Sequence, residues 1–178
     1  METDLYTFED VVEVLNSVTP HDWKGFLTDR LEVREAGTSL DGLERGGYRL
    51  VYRDTPSDFA IAEDALNSVV NLRFSLGLTV GTTGAIQEVL WESPAFHAGL
   101  TAATEITAVN GRDFTTEELQ QAISDAAGGE PLTVLVKQAG ETREVVIDYT
   151  GGHRYPHLDP IDGARLRLDE IYAPRTGG

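Results

Sequence analysis

Between residues 93 and 111 this chain places a helix start, a helix stop and a hairpin turn, and that spacing restricts its fold more than any other feature. Residues 93–100 read Ser-Pro-Ala-Phe-His-Ala-Gly-Leu. Ser93 can cap a helix N-terminus, and Pro94 suits the first helical position, where its missing N–H has no intrahelical partner. Gly99 can adopt the left-handed conformation that ends a helix. The interval from cap to stop holds a single helical turn. Glu105 to Val109 then reads as a strand, and Asn110-Gly111 supplies the positive φ angles of a tight turn. One turn of helix is therefore inserted between strands, which points to a mixed α+β chain.

The neighbouring segments extend the pattern. Thr115-Thr116-Glu117-Glu118 is a full capping box, and Leu119, Ala122, Ile123 and Ala126 follow at i, i+3, i+4 and i+7. Gly128-Gly129 ends that helix. Leu132 to Lys137 and Arg143 to Tyr149 are alternating strands joined across Gln138-Ala139-Gly140-Glu141, a hairpin. Upstream, Leu72 to Val80 is extended with an interruption at Gly77, Gly81-Thr82-Thr83-Gly84 turns the chain, and Ala85 to Trp91 is a strand. Residues 58–70 are expected to be helical, with Phe59, Ala62, Leu66 and Val69 on one side, and residues 47–53 form a strand.

Residues 1–44 read as two helices and a loop. Thr7 caps the first through Asp10, Thr19 caps the second with Pro20 at its first position, and Gly37 lies past its end. Two short helices bury too little to form a core alone. From Gly151 the periodicity fades into a Pro- and Gly-dotted tail. The expected organisation is a helical segment over 1–44, one domain over 45–150, and a tail over 151–178.

Composition bounds the partners. The 178 residues carry 30 acidic and 14 basic side chains, a formal charge of −16. The first 70 residues hold 15 acids and 6 bases, the rest 15 and 8, so the whole chain is acidic. Such a field repels phosphate backbones and anionic lipid, which argues against nucleic acid and membrane as partners. With no cysteine, thiolate metal sites and disulfides are excluded. No Gly-x-Ser-x-Gly elbow, phosphate loop or Gly-x-Gly-x-x-Gly occurs. Acidic pairs such as Glu9-Asp10, Glu63-Asp64, Glu117-Glu118 and Asp169-Glu170 read as solvated faces.

The middle of the chain resembles a PDZ domain in the strand order common in bacterial proteases. The residues that carry this are Leu76-Gly77-Leu78, Ser93-Pro94-Ala95 with Ala98-Gly99-Leu100, and Ile106-Thr107-Ala108-Val109-Asn110-Gly111. The chain departs from that pattern at Ala103-Thr104, where Gly-Asp is usual. Together with Asp22-Trp23-Lys24-Gly25-Phe26-Leu27, Leu40-Asp41-Gly42-Leu43 and Gly47-Tyr48-Arg49-Leu50-Val51-Tyr52, the set is similar to the C-terminal portion of the glycyl aminopeptidases, zinc metallopeptidases with a PDZ domain after the catalytic one. The resemblance implies a PDZ-like small β-sandwich or barrel with one short and one longer helix, preceded by a helical segment.

It also implies that zinc and the catalytic machinery lie in a separate domain, which an exported or periplasmic parent would carry. Such enzymes use a His-Glu-x-x-His helix. Here His21, His97, His153 and His157 are none of them followed by Glu, and Tyr155-Pro156 argues against a helix between the last two. No catalytic or metal-binding residue is assigned in this chain, and no cofactor is expected in it.

A PDZ groove binds an extended peptide as an added strand. By the resemblance, a peptide or protein C-terminus would lie between strand 78–82 and helix 115–127. Leu76, Gly77 and Leu78 would meet its carboxylate, with Leu78 and Val80 as one wall and Leu119 and Ile123 as the other. Two alternatives stand beside this. One is an architectural module docked to its own catalytic domain, its groove filled by its own chain around Ile161 to Tyr172. The other is a stand-alone scaffold domain.

Overall fold

A computed structural model describes residues 6–32 and 40–174, which fall into two compact units divided between Ser39 and Leu40. The first unit contains α1 (Phe8–Val18) and α2 (Trp23–Glu32). The Thr7 hydroxyl accepts from the Asp10 N–H (3.2 Å) and the Asp10 carboxylate accepts from the Thr7 N–H (2.7 Å), a reciprocal cap. The Thr7 N–H and then the Thr7 hydroxyl, both donating to it, hold the Asp10 carboxyl below its ordinary range. Thr19 behaves otherwise than expected. Its N–H donates to Leu15, so it closes α1, and Asp22 caps the next helix by accepting from Gly25 N–H (2.9 Å). Pro20 explains this, because a residue without an N–H cannot extend α1. Gly37 lies outside the described residues.

The second unit runs α3 (Asp41–Arg45), β1 (Tyr48–Arg53), α4 (Asp58–Asn67), β2 (Val69–Leu72), β3 (Leu78–Gly81), β4 (Ile86–Val89) and α5 (Pro94–His97). It continues with β5 (Glu105–Val109), β6 (Arg112–Asp113), α6 (Thr116–Ala127), β7 (Leu132–Gln138), β8 (Glu141–Ile147), β9 (Tyr155–Pro160) and α7 (Arg167–Tyr172). From β3 to β8 this is the PDZ-like order, in an α+β fold. The strands make an antiparallel sheet β2-β3-β4, a second of order β6-β5-β7-β8, and a separate ribbon β1-β9. The two larger sheets share one core and do not close into a barrel.

The turns follow from their residues. Asn110 and Gly111 take φ of 46° and 77°, and Ala139 and Gly140 take 51° and 88°, giving the two tight hairpins β5–β6 and β7–β8. Thr115 caps α6 by accepting from Glu118 N–H (3.0 Å), while the Glu118 carboxylate pairs with Arg112 (3.0 Å), leaving the box half formed. Leu119, Ala122, Ile123 and Ala126 bury the predicted stripe of α6.

The expected boundaries shift. Residues 40–44 group with the strands and helices C-terminal to them, so the division falls at 39 in place of 44. The tail beginning at 151 contains β9, which pairs antiparallel with β1 from Tyr48↔Pro160 to Arg53↔Tyr155. Prolines 156 and 160 hid it. A strand that meets only one neighbour has one edge where a missing N–H does no harm, and it needs no alternating apolar face.

Candidate functional site

Two sequence motifs meet at the loop between β2 and β3. Gly77 has φ of +77°, and a β-carbon there would stand 2.0 Å from Ser93 Cβ. Ser93 is buried, its hydroxyl accepts from the Phe96 N–H (3.2 Å), and it is the N-cap of α5. The Ala95 N–H donates to Leu76 (2.9 Å) and the Leu90 N–H to Gly77 (2.7 Å). The Ser93-Pro94 helix start is thus the seat of the Leu76-Gly77-Leu78 turn. Glycine is needed at 77 because Ser93 presses on it and because of its positive φ.

Leu76, Gly77, Leu78, Val80, Leu119 and Ile123, the six residues expected to line a peptide groove, are all buried. The five with side chains belong to one hydrophobic core. The structure brings them together. It does not leave β3 an open border. On one side β3 pairs with β4, and on the other it pairs with β2 in the register Val69↔Gly81, Val70↔Val80, Asn71↔Thr79 and Leu72↔Leu78. Leu72 and Val70 are 1% and 6% exposed, and they join the core cluster of Leu119 and Ile123.

The loop donors are used as well. The Ser75 N–H (3.1 Å) and the Gly77 N–H (2.9 Å) both donate to the Leu72 carbonyl. Leu72 stands where the last residue of an added strand would stand, with an apolar side chain in the core and a backbone oxygen on the turn. The outer edge of β2 is partly capped: the Asn71 N–H donates to the Asp64 carboxylate of α4 (3.0 Å).

A second segment of the same chain runs alongside. A ring nitrogen of His153 hydrogen-bonds the Gln120 carbonyl on α6 (2.9 Å), the Arg154 N–H donates to the Ser75 hydroxyl (3.4 Å), and the Tyr149 hydroxyl donates to the Gly152 carbonyl (2.7 Å). Residues 149–155 therefore bridge α6 and the loop. Burial raises both the Tyr149 and Tyr155 hydroxyl pKa values above the ordinary tyrosine value. Ile161 to Tyr172, expected as a groove filler, lies against α3 and β1: the Arg167 N–H donates to Gly46 (3.0 Å) and the Tyr48 hydroxyl to Asp169 (2.6 Å).

The filling strand escapes a helical reading of 58–70. Ser68 takes φ 54° and ψ 46°, a left-handed stop that ends α4 at Asn67. The signal was present in Asn67-Ser68, a polar pair suited to a helix end, followed by the β-branched Val69-Val70.

Among the described residues, no group of three or more His, Asp or Glu side chains is placed to hold a metal ion. His157 bonds the Thr55 carbonyl through Nε2 (2.8 Å), and His153 is occupied as above. These donors do not fit a zinc site.

No family model matches this chain, and no curated protein matches it. Solved structures do. One is an aminopeptidase N family protein from Idiomarina loihiensis, with a TM-score of 0.58 at 16% identity over 91% of this chain. This chain spans only 28% of that protein's length. Another is the HtrA3 PDZ domain bound to a phage-derived ligand, FGRWV, with a TM-score of 0.32, 21% identity, and coverage of 63% of this chain and 86% of that one. At such identities the first likeness is one of fold.

Proposed function

We propose that this chain is a non-catalytic, PDZ-like architectural region of a zinc aminopeptidase of the glycyl type, with its peptide groove held shut by its own strand β2. The observation that carries this is the pairing of β2 along β3 with the Ser75 and Gly77 N–H groups both on the Leu72 carbonyl. A C-terminal peptide binding by strand addition needs that edge and those donors. To enter between strand 78–82 and helix 115–127 it would have to expel Val70 and Leu72, whose burial contributes roughly 1.5–3 kcal/mol each. Residues 149–155 add further bonds across the same place. The aminopeptidase part of the reading is supported by the fold likeness over most of this chain and by the short sequence blocks that resemble glycyl aminopeptidases. Zinc would belong to the remainder of such an enzyme.

Titration of the isotopically labelled chain with a peptide ending in an apolar residue, followed by NMR, tests the closed groove. The expected result is no shift at Leu76–Val80 up to millimolar peptide. Saturable shifts clustered at Leu76–Val80 would overturn it and favour peptide recognition at the groove. Chelator-sensitive cleavage of a glycyl substrate by this chain would overturn the non-catalytic part.

A further inference from the structure

We infer that the surface around Trp91 docks a segment of a partner protein that presents a lysine or arginine side chain beside an apolar one. Trp91 is 76% exposed, an unusual position for the largest apolar side chain. Its ring rests on Phe96, centroid to centroid 4.3 Å at 49°. Phe96 belongs to α5, whose cap Ser93 is buried against Gly77, so the indole is mounted on a rigid corner. The next residue, Glu92, has φ of +58°, a left-handed backbone that a residue with a β-carbon adopts only at a cost.

Beside α5 lies a cavity of about 360 Å³ lined by Glu92, Pro94, His97, Ala98, Val146 and Asp148. Its apolar lining is Pro94, Ala98 and Val146, the last 62% exposed although it lies on a strand. The rest of its lining is two carboxylates and the His97 imidazole, which sits 3.6 Å from Glu92. The neighbouring cation, Arg143, donates to the Gly99 carbonyl (2.7 Å) at the end of α5.

Charge complementarity chooses the occupant. A chain of formal charge −16 repels acidic partners. Glu92 and Asp148 suit an ammonium or guanidinium in the cavity, and the exposed indole of Trp91, one residue before Glu92, offers contact to the adjacent apolar side chain. Exposed Trp held in advance loses little entropy on binding, and Trp is enriched among the residues that dominate interfaces.

The chain has two tryptophans, Trp23 and Trp91, and Trp23 lies in the first unit, so its indole N–H signal is an internal control. The probe is a short peptide of alternating Lys and Leu, titrated into the labelled chain and compared with a Lys–Ser peptide of equal charge. The expected result is saturable shifts at the Trp91 indole, Ala98 and Val146 with the Lys–Leu peptide, and roughly tenfold weaker binding in both Trp91→Ala and Asp148→Asn. The dispersed spectrum of each variant checks that it folds. Absence of shifts at millimolar peptide, equal binding of the Lys–Ser peptide, or affinity unchanged in Trp91→Ala would each overturn the inference.

Discussion

Gly77 and Ser93 approach so closely that a single added carbon on one would overlap the other, at 2.0 Å from Ser93 Cβ. This contact joins the loop before β3 to the cap of α5, and with it the two sequence blocks that first pointed to the fold. Gly77→Ala is therefore expected to destabilise the second unit by about 3 kcal/mol or more, from the φ of +77° and the clash together. Urea unfolding measures it. Adding Ser93→Gly should restore part of the loss by removing the obstructing carbon. A loss below about 1 kcal/mol for Gly77→Ala would contradict this packing.

Leu72 holds β2 in place. Leu72→Ala should cost about 2–5 kcal/mol, the range for a fully buried leucine, and Asn71→Ala far less. Hydrogen exchange adds an independent reading: amides of β2 should protect nearly as well as those of β3 in the unaltered chain and lose that protection in Leu72→Ala. Fast exchange of β2 in the unaltered chain would mean that the groove is open part of the time.

Ala103 takes φ of +66° at the place where the sequence pattern has glycine. The departure at Ala103-Thr104 thus leaves the turn in place and loads it with strain. Thr104 is buried, with its hydroxyl 3.2 Å from that of Thr101. Ala103→Gly should stabilise the unit by about 0.5–1 kcal/mol, the left-handed strain relieved exceeding the flexibility gained by the unfolded chain. A lower midpoint of denaturation in the variant would show the strain to be absent.

Legibility in the sequence depends on where the constraints are local. The one-turn helix, the Asn110-Gly111 and Ala139-Gly140 hairpins and the stripe of α6 depend on residues within a few positions of each other, and all are found. β2 is hidden because Val69 and Val70 end a helical pattern while Leu72 begins an extended one, and only pairing with β3 joins them into one strand. β9 was hidden because its partner β1 lies about a hundred residues earlier, a separation that local periodicity does not report. The six residues expected in a groove do meet, yet apolar residues that would line a groove and apolar residues that fill a core look alike until the neighbouring strand is known.

Half-buried Tyr149 and buried Tyr155 give an alkaline pH dependence. Burial favours the neutral phenol, so Tyr149 and Tyr155 hold their protons in the folded chain above the ordinary value of 10.0 at which the unfolded chain releases them. Above that value the unfolded state binds fewer protons than the folded one, so stability falls as pH rises and is intact below it. Alkaline titration of the melting temperature should therefore show a decline that begins near pH 10.0. Tyr149→Phe should lessen its slope, while losing the bond to the Gly152 carbonyl at every pH. The two effects separate cleanly: the lost bond lowers the whole curve by about 1 kcal/mol, and the missing titration flattens only its alkaline limb. A slope unchanged in both Tyr149→Phe and Tyr155→Phe would mean that neither hydroxyl is desolvated where residues 149–155 cross from α6 to the β2–β3 loop.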